Sequence, residues 1–136
     1  RDVFSLDMVA RPQAPVAPDL ADPVEVPLVH LAWGRSGDKG NKANIGIIAR
    51  KSEYLPYIWA ALDDAAIRAR FGHFMAADTG FDRYVLPGCH GMNILIHEAL
   101  GGGGVASLRN DPQGKAYAQI LLDHPVPVSR EIAESL

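Results

Sequence analysis

Cysteine is scarce in this chain of 136 residues, since Cys89 is the only one. No disulfide can therefore form within the chain, which fits a protein of a reducing compartment, and we expect it to be cytoplasmic. A charge excess is missing as well, because 13 Lys and Arg stand against 16 Asp and Glu and give a formal net charge of -3. This balance argues against nucleic acid or an anionic membrane as a partner.

Long hydrophobic runs are also absent. No apolar stretch reaches the ~18 residues that a membrane span needs, and the chain does not open with the basic and apolar segments of a signal peptide. It begins at Arg1 rather than at a methionine, as a processed chain or a piece of a longer protein would. Hydrophobic residues make up 48% and charged residues 21%, which is typical of one globular domain with a substantial core.

Proline marks a boundary near the N-terminus. Five prolines recur there at short intervals: Pro12, Pro15, Pro18, Pro23 and Pro27. Because proline fixes φ and lacks an amide donor, we predict that residues 1–27 are an extended arm or linker and that residues 28–136 are the folded domain. The arm is either a disordered tail or a strap that docks on a neighbouring domain.

The most distinctive stretch is residues 35–50, with the sequence R-S-G-D-K-G-N-K-A-N-I-G-I-I-A-R. Its first part, residues 35–44, combines glycines, turn-forming polar residues and cations, so we predict a loop there. Backbone amides exposed by glycine, beside Lys and Arg side chains, can bind phosphate or carboxylate. The Walker A and Rossmann spacings are absent, however, and the alternative is a tight connection between two strands whose charges face water.

Hydrophobic patterns predict four strands, at residues 28–33, 43–49, 83–86 and 116–122. They predict one helix that begins at Ser52 as its N-cap and ends at Gly72, a second helix at residues 92–100, and a short C-terminal helix or tail. The order of the main elements is ββαβαβ. The predicted fold class is therefore α+β, a ferredoxin-like sandwich in which two helices cover one face of a four-stranded, mostly antiparallel sheet.

Histidine and cysteine suggest two further kinds of site. His90 and His97 could bind a metal, but no third ligand is clearly placed for a catalytic zinc, so no metal is expected. Cys89 beside His90 could form a nucleophile with its base. Neighbours on an extended chain point to opposite sides, however, and a buried structural cysteine is favoured instead.

Three blocks of the chain are similar to one protein family. The 35–50 stretch, L-P-G-C-H-G-M-N-I-L-I-H-E-A-L-G-G-G-G at 86–104 and S-L-R-N-D-P-Q-G-K at 107–115 resemble the C-terminal ferredoxin-like domain of the acyclic terpene utilisation (AtuA-like) family. The resemblance covers most of the chain, from about residue 28 to residue 122. It implies a small α+β domain that is attached to, or encoded beside, a much larger domain. It also implies a setting in the bacterial breakdown of acyclic terpenoids and related branched acyl-CoA compounds.

Polar residues of these blocks make up the candidate site. The predicted catalytic residues are His90, Asn93 and His97, since a histidine with a near-neutral pKa can move protons and an amide can donate to a thioester carbonyl. The predicted substrate- or anion-binding residues, whose cations could also hold CoA phosphates, are Arg35, Ser36, Asp38, Lys39, Asn41, Asn44, Arg109 and Lys115.

Two glycine-rich segments supply the cations of this site. We expect residues 35–44 and residues 101–115 to meet at one end of the sheet and to form an anion-accepting cleft, because together they carry five cations in a chain of negative net charge. In the alternative, Asp38 and Asp111 neutralise the nearest cations and leave solvated turns.

Two functions of different kinds are open: the family resemblance implies the first, and the absence of a complete catalytic triad or metal set favours the second. In the first, the domain acts with a larger AtuA-like domain or subunit on a branched or terpenoid acyl-CoA, in a hydratase- or lyase-like step. The CoA thioester would be the substrate, and no other cofactor is expected. In the second, the domain is a non-catalytic interaction or oligomerisation module. We expect a homo-oligomer in either case.

Overall fold

The computed structural model describes residues 14–16, 19–39, 42–71, 80–86, 88–97 and 116–136, with the backbone alone at residues 38, 39, 42, 43, 116 and 117. The strands in these ranges are β1 (Val24–Pro27), β2 (Ala32–Lys39), β3 (Lys42–Ala49), β4 (Gly80–Leu86), β5 (Gly91–His97) and β6 (Pro125–Val128). The helices are α1 (Leu55–Ala61), α2 (Asp64–Phe71), α3 (Ala116–Leu122) and α4 (Arg130–Ser135), and 3-10 turns span Leu28–His30 and Ser52–Tyr54. Each of these described helices is too short or too polar to cross a bilayer.

A four-stranded antiparallel sheet forms the centre of the fold, with the strand order β2-β3-β5-β4. β1 and β6 pair separately as a two-stranded antiparallel ribbon. The predicted α+β class and four-stranded antiparallel sheet are confirmed. The described elements follow one another as βββααββαβα, which differs from the predicted order ββαβαβ.

Most of the predicted loop at residues 35–44 belongs instead to paired strands, since residues 35–39 lie in β2 and residues 42–44 in β3, while residues 40 and 41 lie outside the described residues. β2 and β3 pair along their whole length, with Arg35 opposite Gly46 and Gly37 opposite Asn44. Glycine and polar residues have low strand propensity, but pairing with a neighbouring strand outweighs this local preference. The second predicted strand is confirmed as β3, and so is its antiparallel pairing with the strand before it.

The predicted strand at residues 28–33 is wrong in its first half. Leu28–His30 forms a 3-10 turn, in which the Leu31 N–H donates to the Leu28 carbonyl at 2.8 Å. Both leucines are fully buried. A spacing of three residues points two side chains the same way in a helical turn and opposite ways in a strand. β2 therefore begins only at Ala32, and the last four residues of the predicted arm form β1.

The helix predicted from Ser52 to Gly72 is divided in two. The chain first makes a 3-10 turn, so Ser52 does not cap α1, and Gly72 lies outside the described residues. The break falls at Leu62 and Asp63. The Asp63 carboxylate accepts the Ala66 N–H at 2.9 Å, which is the side-chain bond of an N-cap and starts α2.

Arg83 of β4 closes the end of α1. Its Nη1 donates to the carbonyls of Trp59 at 2.8 Å and Leu62 at 2.9 Å, and its guanidinium carbon lies 4.0 Å from the centroid of the Trp59 ring. Burial lowers the pKa of Arg83, while the carboxylates of Asp64 and Asp63 act in the opposite direction. A cation at a helix C-terminus satisfies carbonyls that lack a helical partner, so contact with β4 stabilises the break.

The helix predicted at residues 92–100 is wrong, since Gly91–His97 is strand β5 between β3 and β4. Met92, Ile94 and Ile96 are buried and alternate with half-buried residues, which is the two-residue period of a strand. Short apolar runs fit either a helix or a strand, and the two flanking strands decide the outcome here. The last three residues of that prediction lie outside the described residues.

The strand predicted at residues 116–122 is helix α3. Ala118 and Leu121 are buried three residues apart, on one side of the helix. α3 lies against β2 at Gly34, where a Cβ would come within 3.4 Å of Ala118 Cβ and Leu122 Cδ2. Pro125 and Pro127, which follow this helix, belong to β6, in a two-stranded ribbon whose outer edge tolerates a missing N–H.

The two faces of the four-stranded sheet differ. One face, the core face, carries buried side chains of the central strands: Ile45, Ile47, Met92, Ile94 and Ile96. The opposite face, termed the open face, carries the residues that alternate with these: Trp33, Arg35, Gly37, Asn44, Gly46, Ile48, Asp82, Tyr84, Leu86, Asn93, Leu95 and His97. Most side chains of the open face whose burial is described are exposed or half-buried, so they can contact a ligand or another protein.

Candidate functional site

Arg35, Gly46, Asn93 and Tyr84 form one row across the open face. Arg35 pairs with Gly46, Gly46 with Asn93, and Asn93 with Tyr84 in the antiparallel register. Residues directly opposite one another in antiparallel strands project to the same side of the sheet. Two predicted site residues, Arg35 and Asn93, therefore lie on either side of a glycine.

Gly46 forms the floor of a depression between these side chains. A Cβ at this position would lie 3.6 Å from Arg35 Cγ, so the arginine stem borders the space that the glycine leaves. The depression has a volume of ≈ 310 Å³. Its lining is polar on one side and apolar on the other: Arg35, Asn44 and Asn93, then Ile48 and Leu86.

Three polar side chains of this depression have no described side-chain partner. Among the residues whose side chains the structure describes, none forms a side-chain hydrogen bond or ion pair with Arg35, Asn44 or Asn93. A guanidinium offers five N–H donors, and each amide offers two more. One cation flanked by neutral donors suits a carboxylate or a carbonyl oxygen.

His97 lies at the end of the open face nearest the β2–β3 turn and contacts a carboxylate. Its Nε2 is 2.6 Å from Asp82 Oδ2, and both side chains are partly exposed. A carboxylate at one ring nitrogen orients an imidazole and leaves the other nitrogen to exchange protons. Asn93 is roughly 13 Å from His97 along β5, at ~3.3 Å per residue. Asn44 of β3 pairs with Leu95, the residue of β5 that lies halfway between them.

His90 lies at the other end of β5. It occupies a turn with a positive φ of 53°, is exposed, and accepts the Ala49 N–H through its carbonyl at 3.0 Å. The strand that separates it from His97 is roughly 20 Å long at ~3.3 Å per residue. His90, Asn93 and His97 therefore do not converge on one reacting atom, and the catalytic role of each stays a prediction.

The other predicted anion-binding residues fall into three groups. Ser36 borders the depression, but its Oγ accepts the Ala118 N–H of α3 at 3.4 Å. Asp38 and Lys39 end β2, and only their backbone is described. The remaining three lie outside the described residues: Asn41, Arg109 and Lys115. The cleft predicted between the two glycine-rich segments therefore stays a prediction.

Cys89 is exposed, so the prediction of a buried structural cysteine is wrong. It lies in the turn residues between the end of β4 at Leu86 and the start of β5 at Gly91. Its Sγ is 3.7 Å from the Leu86 carbonyl oxygen. Within the described ranges, no three His, Cys, Asp or Glu side chains cluster closely enough to hold a metal ion.

Two aromatic residues of the open face were not predicted as site residues. Trp33 and Tyr84 are 54% and 48% exposed, although large aromatic side chains are usually well buried. The Arg50 guanidinium carbon lies 4.5 Å from the centroid of the Trp33 ring. Alternation along β4 places Tyr84 on one face, but only the register with β5 shows that Asn93 shares this face.

The four-stranded antiparallel sheet and the described helices define an α+β protein, which is consistent with a ferredoxin-like fold. Residues 26–127, most of the chain, match the family model of the AtuA ferredoxin-like domain, and the chain therefore belongs to this family. The predicted family is thus confirmed. Comparisons with curated proteins and with solved structures gave no match.

Proposed function

We propose that this domain acts with a larger AtuA-like domain or subunit on branched or terpenoid acyl-CoA compounds. The open face supplies one wall of a site that the partner completes. The observation that carries the proposal is the convergence of Arg35, Asn44 and Asn93 around Gly46. Arg35 is exposed to water, and its electrostatic effect on a ligand grows when a second surface excludes that water.

A hydratase- or lyase-like step fits the groups on this face. In the hydration of an α,β-unsaturated thioester, a base takes a proton from water, and the water oxygen bonds to the β-carbon while the π bond between the α- and β-carbons breaks to give an enolate. The α-carbon then takes up the proton that the base holds. Negative charge develops on the thioester oxygen, where the amide of Asn44, a diagonal neighbour of His97, would stabilise it. His97, oriented by Asp82, would be the base, and Arg35 would bind an anionic group of the substrate.

Turnover of 3-methylglutaconyl-CoA, a branched unsaturated thioester that carries a free carboxylate for Arg35, tests this proposal in the complete assembly, with the addition of one water followed by mass spectrometry. We expect His97→Gln to lower turnover at least ~100-fold, because a general base contributes roughly 10²–10⁴-fold, and Asn44→Ala to lower it less. His30→Gln, at an exposed histidine outside the sheet, is the matched control. His90→Gln in the same series measures the predicted role of His90. Full turnover in the His97 and Asn44 variants, or none in the wild type, contradicts the proposal.

A non-catalytic interaction or oligomerisation module is the second candidate. The exposed rings of Trp33 and Tyr84 favour it, because aromatic residues are enriched at protein interfaces. Gel filtration with light scattering measures the association of the chain with itself and with the larger domain. We expect the double variant Trp33→Ser, Tyr84→Ser to associate more weakly, whereas Val29→Ser, at an exposed apolar residue of a 3-10 turn outside the sheet, associates normally. A wild-type chain that stays monomeric in every mixture contradicts this function.

A further inference from the structure

We propose that the depression above Gly46 binds a free carboxylate on a short branched aliphatic chain, and that it does not bind the phosphate groups of CoA. This inference rests on the proposed function, because it names the group of the substrate that the open face recognises. It concerns binding by this chain, so it can be tested without the larger domain.

The charge in the depression matches one planar anion. Arg35 is exposed on β2, and a guanidinium can donate two parallel N–H bonds to a carboxylate. Asn44 of β3 and Asn93 of β5 add neutral donors to the same space. A phosphate group, with its higher charge and three terminal oxygens, is usually held by several cations or by a concave nest of backbone amides.

The backbone amides of the two central strands are not available to a ligand above Gly46. β3 and β5 are central strands, so each is hydrogen-bonded along both edges. The N–H groups of Gly46 and Asn93 therefore lie in the plane of the sheet and belong to its ladder. Gly46 leaves space without forming an anion-binding nest, and recognition in the depression depends on side chains.

The apolar side of the depression fits the remainder of such a ligand. Ile48 follows Gly46 by two residues on the same face, and Leu86 stands two residues beyond Tyr84 on the edge strand. Both are half-buried, so methyl groups placed against them lose contact with water. A volume of ≈ 310 Å³ is at the lower end for ligand sites, which suits a small acid or one end of a longer substrate.

Titration of the isotope-labelled 136-residue chain, followed by proton–nitrogen NMR spectra, tests the inference with three probes. 3-Methylbutanoate carries the charge and the branch, 3-methylbutanamide has the same shape without the charge, and inorganic phosphate has charge without the branch. We expect saturable shifts of the Gly46 and Asn93 amide signals with 3-methylbutanoate. The other two probes should bind at least about tenfold more weakly, because 3-methylbutanamide lacks the charge and phosphate lacks the branched chain. Equal binding of phosphate or of the amide overturns the inference, and so does the lack of a saturable shift with the carboxylate.

Two variants locate the binding site. In Gly46→Ala the new methyl meets nothing closer than 3.6 Å, so the fold accepts it while the floor of the depression is filled. Arg35→Gln removes the cation. Gly80→Ala, on the edge strand with nothing within 4 Å of the new Cβ, is the matched control. We expect Gly46→Ala and Arg35→Gln to bind the carboxylate about tenfold more weakly, and Gly80→Ala to bind it as the wild type does. Unchanged binding in the first two overturns the inference.

The failure of this inference differs from the failure of the proposed function. Carboxylate binding that maps to Gly46, without turnover by the assembly, supports the inference and contradicts the catalytic proposal. Turnover that depends on His97, without carboxylate binding at Gly46, supports the proposed function and overturns the inference.

Discussion

Replacement of Arg83 by methionine should remove the hydrogen bonds between β4 and the end of α1. Arg83 has a side chain that is 19% exposed, and its Nη1 donates to the carbonyls of Trp59 and Leu62 at 2.8 and 2.9 Å. These carbonyls lie at the C-terminus of the helix, where no further helical N–H reaches them. Methionine keeps much of the apolar contact with Trp59, so Arg83→Met removes the donors with little change in packing.

Effects of opposite sign set the size of this change. A hydrogen bond from a charged donor contributes ~1.5–3 kcal/mol, and a cation at a helix C-terminus contributes roughly 0.3–1 kcal/mol. Burial of the guanidinium, which lowers the pKa of Arg83, offsets part of this gain, and the ion pair with the exposed Asp64 carboxylate at 3.8 Å adds little. We expect Arg83→Met to lower the free energy of unfolding by ~2–3 kcal/mol.

Urea unfolding followed by circular dichroism measures this loss. Arg130→Met is the matched control, because Arg130 donates to Asp22 at 2.8 Å on the exposed surface, where such a pair contributes at most ~1 kcal/mol. Arg83→Lys should fall between the two, since an ammonium does not reproduce the planar guanidinium. A loss in Arg83→Met no larger than that in Arg130→Met would refute the role of Arg83 as the cap of α1.

Three further predictions concern stability at other positions. Gly91→Ala should lower the free energy of unfolding by ~1–3 kcal/mol or more, because a Cβ there would lie 2.7 Å from a carbonyl oxygen of β3. Gly80→Ala, where the new Cβ meets open space, should stay within ~0.5 kcal/mol of the wild type. Equal urea midpoints for the two variants would contradict the close packing at Gly91. Ile94→Ala should lower the free energy of unfolding by ~2–5 kcal/mol, since Ile94 is fully buried on the core face. Unchanged stability would contradict the burial of Ile94 on that face. Burial and then the charge of Arg70, whose Nε donates to His124 Nδ1 at 2.9 Å, lower the pKa of His124 below its ordinary value of 6.5. As the pH falls, His124 therefore takes up a proton in the unfolded chain before it does so in the folded chain. The contribution of neutral His124 to stability is complete above pH 6.5 and is lost as the pH falls through the lowered pKa. The urea midpoint of the wild type should therefore fall more steeply below pH 6.5 than that of His124→Gln, and parallel pH profiles would contradict the assignment.

Local sequence determined the family, the fold class and part of the candidate site. The blocks at residues 35–50, 86–104 and 107–115 together identify the family, and the apolar pattern in the second half of the first block predicts the strand β3. In the helix predicted at residues 92–100, the spacing of four residues would place Asn93 and His97 on one side. They share one side of a strand instead, because a spacing of four residues returns to the same side in both structures.

Only the tertiary structure decided which short apolar segments became strands and which became helices. Gly91–His97 and Ala116–Leu122 each contain seven residues, a length that fits either period. The first pairs with strands on both edges, so its buried residues alternate. The second lies on β2 beside Gly34, and its buried residues follow the turn of a helix.

The depression on the open face was also decided by the tertiary structure. Arg35, Gly46 and Asn93 belong to three different strands, and local sequence predicted only a cation, a flexible backbone and an amide donor at these positions. The strand order places β3 between β2 and β5, which brings the three residues into one row. They share one face because directly paired residues of antiparallel strands project to the same side of a sheet, and the glycine between the two polar side chains leaves the space that a ligand would need.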